Sequence, residues 1–263
     1  MASMKLFYCD SHIHLSHCKN SGFINGDEYF CVSSCHTKSE FEYTQNLAGN
    51  NQNNLNHNNI LSSFGIHPQI FSQNYSVRDF FSDLEFLKSL LFENKIAAVG
   101  EFGFDFFAPE FKATSQKQAE AFEEQILLSQ KYGKPVILHI RKAVEKVFAY
   151  SKELKKLPSV IFHSFPGTVM EAKSILNHGV NAYFSFGKPI LNGKKSALEC
   201  VKLLPPDNLL FETDAPYQTL KNEKETLPLD IKRVYQKAAE IRESQIEELS
   251  PLIFENFKKA FLL

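Results

Sequence analysis

The sequence has neither an excess of one charge nor a run of basic residues. Its 29 lysine and arginine residues nearly balance 30 aspartate and glutamate residues, which gives a formal net charge of -1. A protein that coats long duplex DNA, or that binds a charged membrane surface, usually carries a basic patch. The composition therefore argues against both classes. It leaves open an enzyme whose bound metals supply the positive charge at a phosphate.

Paired cysteines and long apolar runs are also missing. The cysteines number five, an odd count, and lack the spacing of a zinc ribbon, so we expect reduced thiols. No apolar run reaches the length of a membrane span, and no signal peptide opens the sequence. These absences predict a cytoplasmic protein that does not enter the membrane. Because the sequence has no obvious interface signature, we expect a monomer.

Short apolar runs rich in β-branched and aromatic residues recur along the sequence and predict strands. They do not alternate cleanly between apolar and polar residues, which is typical of strands buried on both faces of a parallel sheet. The predicted strands are Lys5–Cys9, Tyr29–Ser34, Ile60–Gly65, Ile96–Gly100, Pro135–His139, Ser159–His163, Asn181–Ser185 and Asn208–Glu212. Stretches with helical period lie between several of them. This alternation over 263 residues predicts one α/β domain covering residues 1–263, a (β/α)8 TIM barrel.

Capping residues predict where several of the helices begin. The expected pairs are Ser76 with Asp79, Thr168 with Glu171, and Ser244 with Glu247. Residues 15–28 are barely long enough for a crossover helix. Residues 46–59 are rich in asparagine and poor in apolar side chains, so we predict an exposed, mobile loop there.

Side chains that bind metals stand at the carboxyl ends of the predicted strands. His12 and His14 are two residues apart, so in an extended chain both point to one side and can hold one metal. Taken alone, a polar residue at a strand end is the simpler interpretation of either histidine. The interpretation changes because further strands end in other ligand types, namely Glu101, His139, His163 and Asp214. In a β/α barrel these ends open onto one face, so we expect a site for zinc, manganese or a similar divalent ion.

Several motifs around these residues form a recognisable set. They are Asp10-Ser-His-Ile-His14, Gly65-Ile-His-Pro68, Val99-Gly-Glu-Phe-Gly-Phe-Asp105, Leu138-His-Ile-Arg141, Phe162-His-Ser-Phe-Pro-Gly167 and Glu212-Thr-Asp-Ala-Pro-Tyr217, followed by Glu255-Asn-Phe257 near the end of the chain. In this combination and order, the sequence resembles the TatD family of metal-dependent deoxyribonucleases. The resemblance implies a TIM barrel of the amidohydrolase type with two divalent metal ions, whether Zn, Mn or Mg.

The resemblance also implies a division of the ligands. His12, His14 and Asp214 would hold one metal, His139 and His163 would hold the other, and Glu101 would bridge them. A water shared between two such ions loses its proton near neutral pH, and Asp214 is the natural group to take or orient that proton. Glu101 and Asp214 are therefore the expected catalytic residues. The expected reaction is hydrolysis of phosphodiester bonds in DNA, by an exonuclease acting on strand ends or single strands.

Four further residues are expected to support the reaction. His67 and Arg141 are not typical metal ligands here and are expected to contact the substrate phosphate. Glu212 and Asp105 are expected to orient the ligand histidines, although a purely structural role is an equal alternative.

Nearby phenylalanines have two interpretations. We expect Phe102, Phe104, Phe106 and Phe107 to pack at the barrel mouth. A base-stacking role for Phe106 or Phe107 is the alternative.

The sequence departs from the family pattern in two segments. Ser164 and Pro166 replace the cysteine and serine that are common after the sixth strand, and Leu220-Lys-Asn-Glu223 lacks the usual arginine and glycine. These departures concern the substrate contacts and not the metal ligands. Two other functions stay open, namely hydrolysis of a small ester, lactone or amide by the same site, and a non-catalytic barrel.

Overall fold

Eight parallel strands form the centre of the fold, seen in a computed structural model that describes residues 5–19, 28–50 and 59–263. The strands are β1 (Tyr8–Ile13), β2 (Tyr29–Cys35), β3 (Ile60–Phe64), β4 (Ala98–Asp105), β5 (Val136–Arg141), β6 (Val160–His163), β7 (Ala182–Phe186) and β8 (Leu209–Phe211). Each strand pairs in parallel with the next one along the chain, so the sheet order is the sequence order. This arrangement brings all the carboxyl ends of the strands to one face.

Hydrogen bonds just beyond β8 draw the sheet towards closure against β1. The Asp214 backbone N–H donates to the His12 carbonyl (3.0 Å), and the His14 N–H donates to the Ala215 carbonyl (2.8 Å). The Asp10 carboxylate accepts from the Thr213 N–H (2.9 Å) and from its hydroxyl (2.6 Å). The predicted (β/α)8 barrel is confirmed, and its seam lies beside the first histidine pair.

Helices alternate with the strands on the outside of the barrel. They are α1 (Lys38–Asn50), α2 (Val77–Phe92), α3 (Pro109–Lys112), α4 (Ser115–Tyr132), α5 (Val144–Ala149), α6 (Ser151–Leu154), α7 (Val169–Asn177), α8 (Lys195–Leu203), α9 (Ile231–Arg242) and α10 (Ile246–Phe261). Short 3-10 turns occupy Leu15–His17, Pro68–Ser72, Lys188–Ile190, Pro206–Asn208 and Pro228–Asp230. The predicted capping boxes of α2 and α7 are both present. Within the described residues, none of these helices combines the length and apolar character that a membrane crossing requires.

The last helix covers the amino-terminal end of the barrel. Phe257 and Phe261 of α10 join a buried cluster that takes apolar residues from the first half of most strands. The Asn256 side-chain amide donates to the Leu209 carbonyl (3.0 Å), where β8 begins. Because this end is filled with apolar side chains, the polar chemistry is confined to the opposite, carboxyl-terminal end.

Two strands differ most from their predicted limits, whereas the ends of the other six lie within two residues of the prediction. β1 covers Tyr8–Ile13 instead of Lys5–Cys9, and β4 covers Ala98–Asp105 instead of Ile96–Gly100. Both strands continue through polar residues that an apolar pattern does not mark as strand. Since those polar side chains have partners inside the barrel, His12 and Glu101 lie within strands and not after them.

Two other local predictions are wrong. Residues 46–50 belong to α1, because Phe41 and Leu47 pack on the core and this packing outweighs the weak helix propensity of asparagine. Residues 51–58 of the predicted loop, and 20–27 of the predicted crossover, lie outside the described residues. Ser244 does not cap α10, which begins after Gln245, because the Ser244 N–H donates to the Ala239 carbonyl and so belongs to the end of α9.

The phenylalanines in β4 and directly after it lie in two environments. Phe102 and Phe104 do not pack at the barrel mouth as predicted; they are buried against Phe122 of α4, with ring centroids 5.4 and 4.9 Å from it. Side chains alternate along a strand, so these rings face the helices while Glu101 faces the barrel interior. Phe106 is partly buried, and Phe107 is 50% exposed beyond the end of β4.

Gly103 is required where β4 passes close to β5. Its φ is +151°, and an added Cβ would lie 2.0 Å from the His139 carbonyl oxygen. We expect Gly103→Ala to lower the free energy of unfolding by about 3 kcal/mol or more, because the backbone would have to move. Gly133→Ala is the control, since Gly133 also has positive φ (+62°) but no atom within 4 Å of an added Cβ. It should cost only about 1 kcal/mol. Equal losses in urea denaturation would contradict the steric argument.

Candidate metal centre

The buried carboxylate of Glu101 lies among histidine side chains from several strands. Its Oε1 is 2.6 Å from His139 Nδ1 and 3.7 Å from His163 Nε2. Its Oε2 is 3.3 Å from His12 Nε2 and 3.9 Å from His14 Nε2. The two oxygens therefore face two different pairs of imidazoles. The predicted convergence of these side chains is what the structure shows.

Asp214 completes this group from the segment after β8. Its Oδ1 is 3.5 Å from His12 Nε2 and 3.4 Å from His14 Nε2. The two Nε2 atoms are themselves 3.1 Å apart. Asp214 has φ of +55°, a left-handed backbone conformation that is uncommon for a residue other than glycine. These three ligand atoms, Asp214 Oδ1, His12 Nε2 and His14 Nε2, form a set of cation donors.

Further carboxylates contact the far sides of two histidine rings. Asp105 Oδ2 is 3.1 Å from His139 Nε2, so the His139 ring lies between Glu101 and Asp105. Glu212 Oε1 is 3.0 Å from His163 Nδ1 and also accepts from the Ser164 N–H (2.8 Å). Asp105 and Glu212 thus stand where an orienting role needs them.

Charge and burial oppose each other at these groups. Burial alone would raise the pKa of Glu101, but His12, His163 and other imidazoles hold it well below its ordinary value. Burial likewise opposes the fall in the pKa of Asp214 to about 2, which His163 and the hydrogen bond with His14 produce. Both carboxylates are therefore ionised at neutral pH.

The pKa values of two of these histidines rise despite burial. Burial alone would lower the pKa of His139, but Glu101 and the hydrogen bond with Asp105 raise it to about 9. Burial opposes a similar rise for His163, whose pKa reaches about 10 because of Glu212, Asp214 and Glu101. In the metal-free protein both rings hold protons that a bound metal would displace.

The donor set fits divalent metal ions. Four groups of side chains bring their ligand atoms within 4.8 Å of one another, namely His12-Glu101-His163, His12-His14-Asp214, His14-His36-Glu101 and His67-Glu101-His139. Within the part of the chain that the structure describes, every basic side chain that forms an ion pair with Glu101 or Asp214 within 4.0 Å is a histidine. Imidazole and carboxylate donors without a competing lysine or arginine suit zinc, manganese and similar ions.

His67 lies closer to this centre than its motif indicates. Its Nε2 is 3.7 Å from Glu101 Oε1, and its ring centroid is 4.6 Å from that of His139. His67 follows the end of β3, and its ring therefore lies beside Glu101. The expectation that His67 contacts the substrate phosphate stays a prediction. Arg141 is exposed, and its guanidinium carbon lies 3.7 Å from the centroid of the Phe107 ring.

Sequence reasoning missed two residues that touch the centre. His36 follows β2, and its Nε2 is 3.8 Å from Glu101 Oε2; burial, His67 and His14 lower its pKa to about 3. Its position at the carboxyl end of a predicted strand is the signal that could have found it. Gln218 donates from its Nε2 to Asp214 Oδ2 (2.8 Å) and to the Ser164 hydroxyl (3.0 Å). No sequence signal marks Gln218, because it lies in the loop that departs from the family pattern.

That loop is held by a buried lysine. Lys188, just after β7, is fully buried, and its Nζ lies 2.8 Å from Asp230 Oδ2 and contacts Glu223. It also donates to the Thr226 hydroxyl (3.1 Å). These contacts hold residues 223–230, which follow the segment that lacks the arginine and glycine of the family pattern.

Comparison with known proteins matches this geometry to a family. A family model described as TatD-related DNase matches residues 9–262. The chain belongs to this TatD family. It is similar to the "uncharacterized metal-dependent hydrolase YabD" of Bacillus subtilis, with 34% identity over 183 residues, covering 68% of this chain and 70% of that protein. It is also similar to the "3'-5' ssDNA/RNA exonuclease TatD" of Edwardsiella piscicida, with 32% identity, covering 67% and 70%.

A solved structure confirms the family's fold. YjjV, a TatD homologue from Escherichia coli K12, matches with a TM-score of 0.80 and 24% identity, covering 97% of this chain and 98% of that one. The chain is thus a TIM-barrel metal-dependent hydrolase of the TatD family, and its cluster of histidines and carboxylates is a candidate for the metal site.

In the metal-free protein, we expect the free energy of unfolding to fall as pH rises from about 7.5 to about 9. His139 and His163 keep their protons in the folded state, with pKa values of about 9 and 10. In the unfolded chain, histidine releases its proton near pH 6.5, so the stabilisation is complete below that pH and disappears as pH rises through the folded pKa values. Each histidine contributes a slope of up to about 1.4 kcal/mol per pH unit. Urea denaturation in EDTA at several pH values measures this slope.

One histidine variant tests the origin of this slope, and a second serves as its control. His139→Gln should show a shallower slope than wild type, because one of the two retained protons is gone. His178→Gln should keep the wild-type slope, since His178 is exposed at the end of α7, outside the site. A slope that His139→Gln leaves unchanged would refute the assignment.

Proposed function

We propose that this TatD-family hydrolase is a deoxyribonuclease that shortens DNA from strand ends or in single strands, using two divalent metal ions. The observation that carries the proposal is the position of Glu101. One buried carboxylate presents its two oxygens to two separate sets of imidazoles. This is the arrangement that a carboxylate bridging two cations needs.

The proposed ligands divide about Glu101. Oε2 faces His12 (3.3 Å), so His12, His14 and Asp214 would hold one ion with this oxygen. Oε1 faces His139 and His163 (2.6 and 3.7 Å), so these two histidines would hold the other ion. Asp105 and Glu212 would keep the two rings in place through their opposite nitrogens.

Asp214 is the residue that we expect to receive the proton of the attacking water. When bound, the divalent ions supply positive charge for the phosphate and lower the pKa of a coordinated water. Asp214 is ionised, with a pKa of about 2, so it would accept a hydrogen bond from the attacking water and orient or take its proton. Gln218 holds the second carboxylate oxygen through a 2.8 Å hydrogen bond, which fixes the direction of the acceptor.

His67 is suited to donate to a phosphate oxygen. Its Nδ1 accepts from the Gln69 backbone N–H (3.3 Å), so the neutral ring carries its proton on Nε2. That proton points into the centre, towards Glu101 Oε1. We propose that His67 donates it to the substrate phosphate, and that it is not a metal ligand.

Arg141 and Phe107 form a proposed platform for a nucleotide at the rim of the site. The guanidinium of Arg141 stacks on the Phe107 ring at 3.7 Å, and Lys142 Nζ lies 4.7 Å from the same centroid. The combination offers charge for a phosphate and an aromatic face for a base, as in sites that bind single-stranded nucleic acid. The near-neutral chain has little basic surface for a long duplex, which favours a strand end. The exonuclease named among the relatives acts on single-stranded DNA and RNA.

We expect the protein to shorten single-stranded DNA that is labelled at its 3′ or 5′ end, in the presence of Mg²⁺ or Mn²⁺, and to stop when EDTA is added. Digestion from the 3′ end would release a 3′ label at once and leave a ladder of 5′-labelled products. Glu101→Gln should reduce the rate at least about a thousandfold, or about 4 kcal/mol, because a bridging charge is lost. Glu93→Gln, an exposed change at the end of α2, should not.

Absence of shortening with either metal would refute the deoxyribonuclease proposal, provided that the protein is shown to bind the metal. Small esters and lactones would then be the substrates to try, because the same site could hydrolyse them.

The platform predicts a change in binding that leaves the chemical step intact. Phe107→Leu should raise KM for single-stranded DNA by about tenfold with little change in kcat, because one stacked base is worth about 1–3 kcal/mol. Phe92→Leu is the matched control, since Phe92 is 81% exposed at the end of α2, near the opposite face of the barrel. An unchanged KM for Phe107→Leu in steady-state kinetics would remove Phe107 from the substrate path.

A further inference from the structure

His36 is a histidine beside the metal centre to which the proposed function gives no role. It follows β2 directly, with its side chain 20% exposed, and its Nε2 lies 3.8 Å from Glu101 Oε2. His14, His36 and Glu101 bring their ligand atoms within 4.8 Å of one another. His36 is therefore within reach of a cation held at that side of Glu101.

The hydrogen bonds of His36 fix which nitrogen carries the proton. Nδ1 is 3.0 Å from the Gly65 carbonyl oxygen, which can only accept, so Nδ1 is the donor. In the neutral ring, Nε2 then has a free lone pair, and that lone pair faces a carboxylate oxygen. Two electron-rich atoms facing each other in a partly buried place are unfavourable unless a cation lies between them.

The neighbouring His67 shows the opposite arrangement around the same carboxylate. Its Nδ1 accepts a backbone N–H, so its Nε2 carries a proton that can point to Glu101. The two rings are 5.1 Å apart, yet one presents a donor and the other a lone pair. Of the two, only His36 is prepared as a ligand. The Glu40 carboxylate also accepts a hydrogen bond from the backbone N–H of His36 (2.6 Å), which holds the backbone in place.

We propose that His36 is a further ligand, through Nε2, of the divalent ion that His14 and Glu101 hold. It joins that ion and not a separate third ion, because His14 Nε2 has a single lone pair and already faces His12 and Asp214. The proposal rests on the metal centre of the proposed function. It adds an imidazole to that ion, so it gives the ion a preference for zinc or cobalt over magnesium, which favours oxygen ligands.

The test compares metal binding by the full-length metal-free protein and two variants. His36→Asn keeps an N–H near Nδ1 for the Gly65 carbonyl but has no counterpart of Nε2. His178→Asn is the matched control, because His178 Nδ1 also bonds a backbone carbonyl, that of Ser174 (2.7 Å), far from the site. Competition with a chromophoric chelator gives the Zn²⁺ affinity, calorimetry gives that for Mg²⁺, and the Co²⁺-loaded protein gives a visible spectrum that reports the ligands.

We expect His36→Asn to weaken the binding of one Zn²⁺ by at least about tenfold and to change the Co²⁺ spectrum, with a much smaller effect on Mg²⁺. His178→Asn should match wild type in all three measurements. Wild-type Zn²⁺ affinities and an unchanged Co²⁺ spectrum in His36→Asn would overturn the proposal. Absence of Zn²⁺ and Co²⁺ binding to the wild-type protein would instead overturn the metal centre, and this inference with it.

A second measurement needs no variant and so does not depend on His36→Asn folding. Long-range ¹H–¹⁵N spectra of wild-type protein with ¹⁵N-labelled histidine are recorded without Zn²⁺, after one equivalent of Zn²⁺, and after two equivalents. His36 Nε2 should change from the shift of a free lone pair to that of a coordinated nitrogen, together with His14. An unchanged His36 Nε2 signal when His14 becomes coordinated would refute the assignment.

Discussion

The ionised carboxylate of Glu101, buried among imidazoles, is the interaction on which the rest of this structure depends. An uncompensated carboxylate in the interior is strongly unfavourable, so burial here requires partners. His12, His139 and His163 supply them from three different strands. Because every partner is a histidine, the compensation can pass from ring protons to metal ions without any change of side chain. The same contacts thus serve folding in the metal-free protein and ligation in the loaded one.

The barrel fixes this centre through hydrogen bonds made outside it. Gln118 of α4 accepts from the Asp105 N–H (2.9 Å), and Gln125 of the same helix accepts from the Ile66 N–H (2.8 Å). Both glutamines are buried, so α4 sets the heights at which β3 and β4 end. On the opposite side, Asp10 holds Thr213 and so sets the position of Asp214. Rigid elements that are pinned in this way give a site its precision.

The hydrogen bonds of the ring nitrogens separate the histidines of the centre into two kinds, those that present a lone pair and those that present a proton. A histidine whose outer nitrogen donates to a carbonyl or carboxylate presents a lone pair, as His36 does beside Gly65. A histidine whose outer nitrogen accepts a backbone N–H presents a proton, as His67 does beside Gln69. Backbone geometry around each ring therefore decides between a ligand and a donor, although the residue type is the same.

The sequence by itself determined the barrel and most of the donor residues. Buried parallel strands need continuous apolar runs, and a ligand residue at a strand end stands out against them, as His139 and His163 do. It could not determine how far β1 and β4 extend, because polar residues such as His12 and Glu101 stay in a strand only when the folded barrel gives them partners. Nor could it find Gln218, which reaches Asp214 from a loop fixed by Lys188. Strand patterns are local and can be read along the chain, whereas the roles of His36 and His67 depend on which backbone atom from another part of the chain meets each ring, and only the tertiary structure decides that.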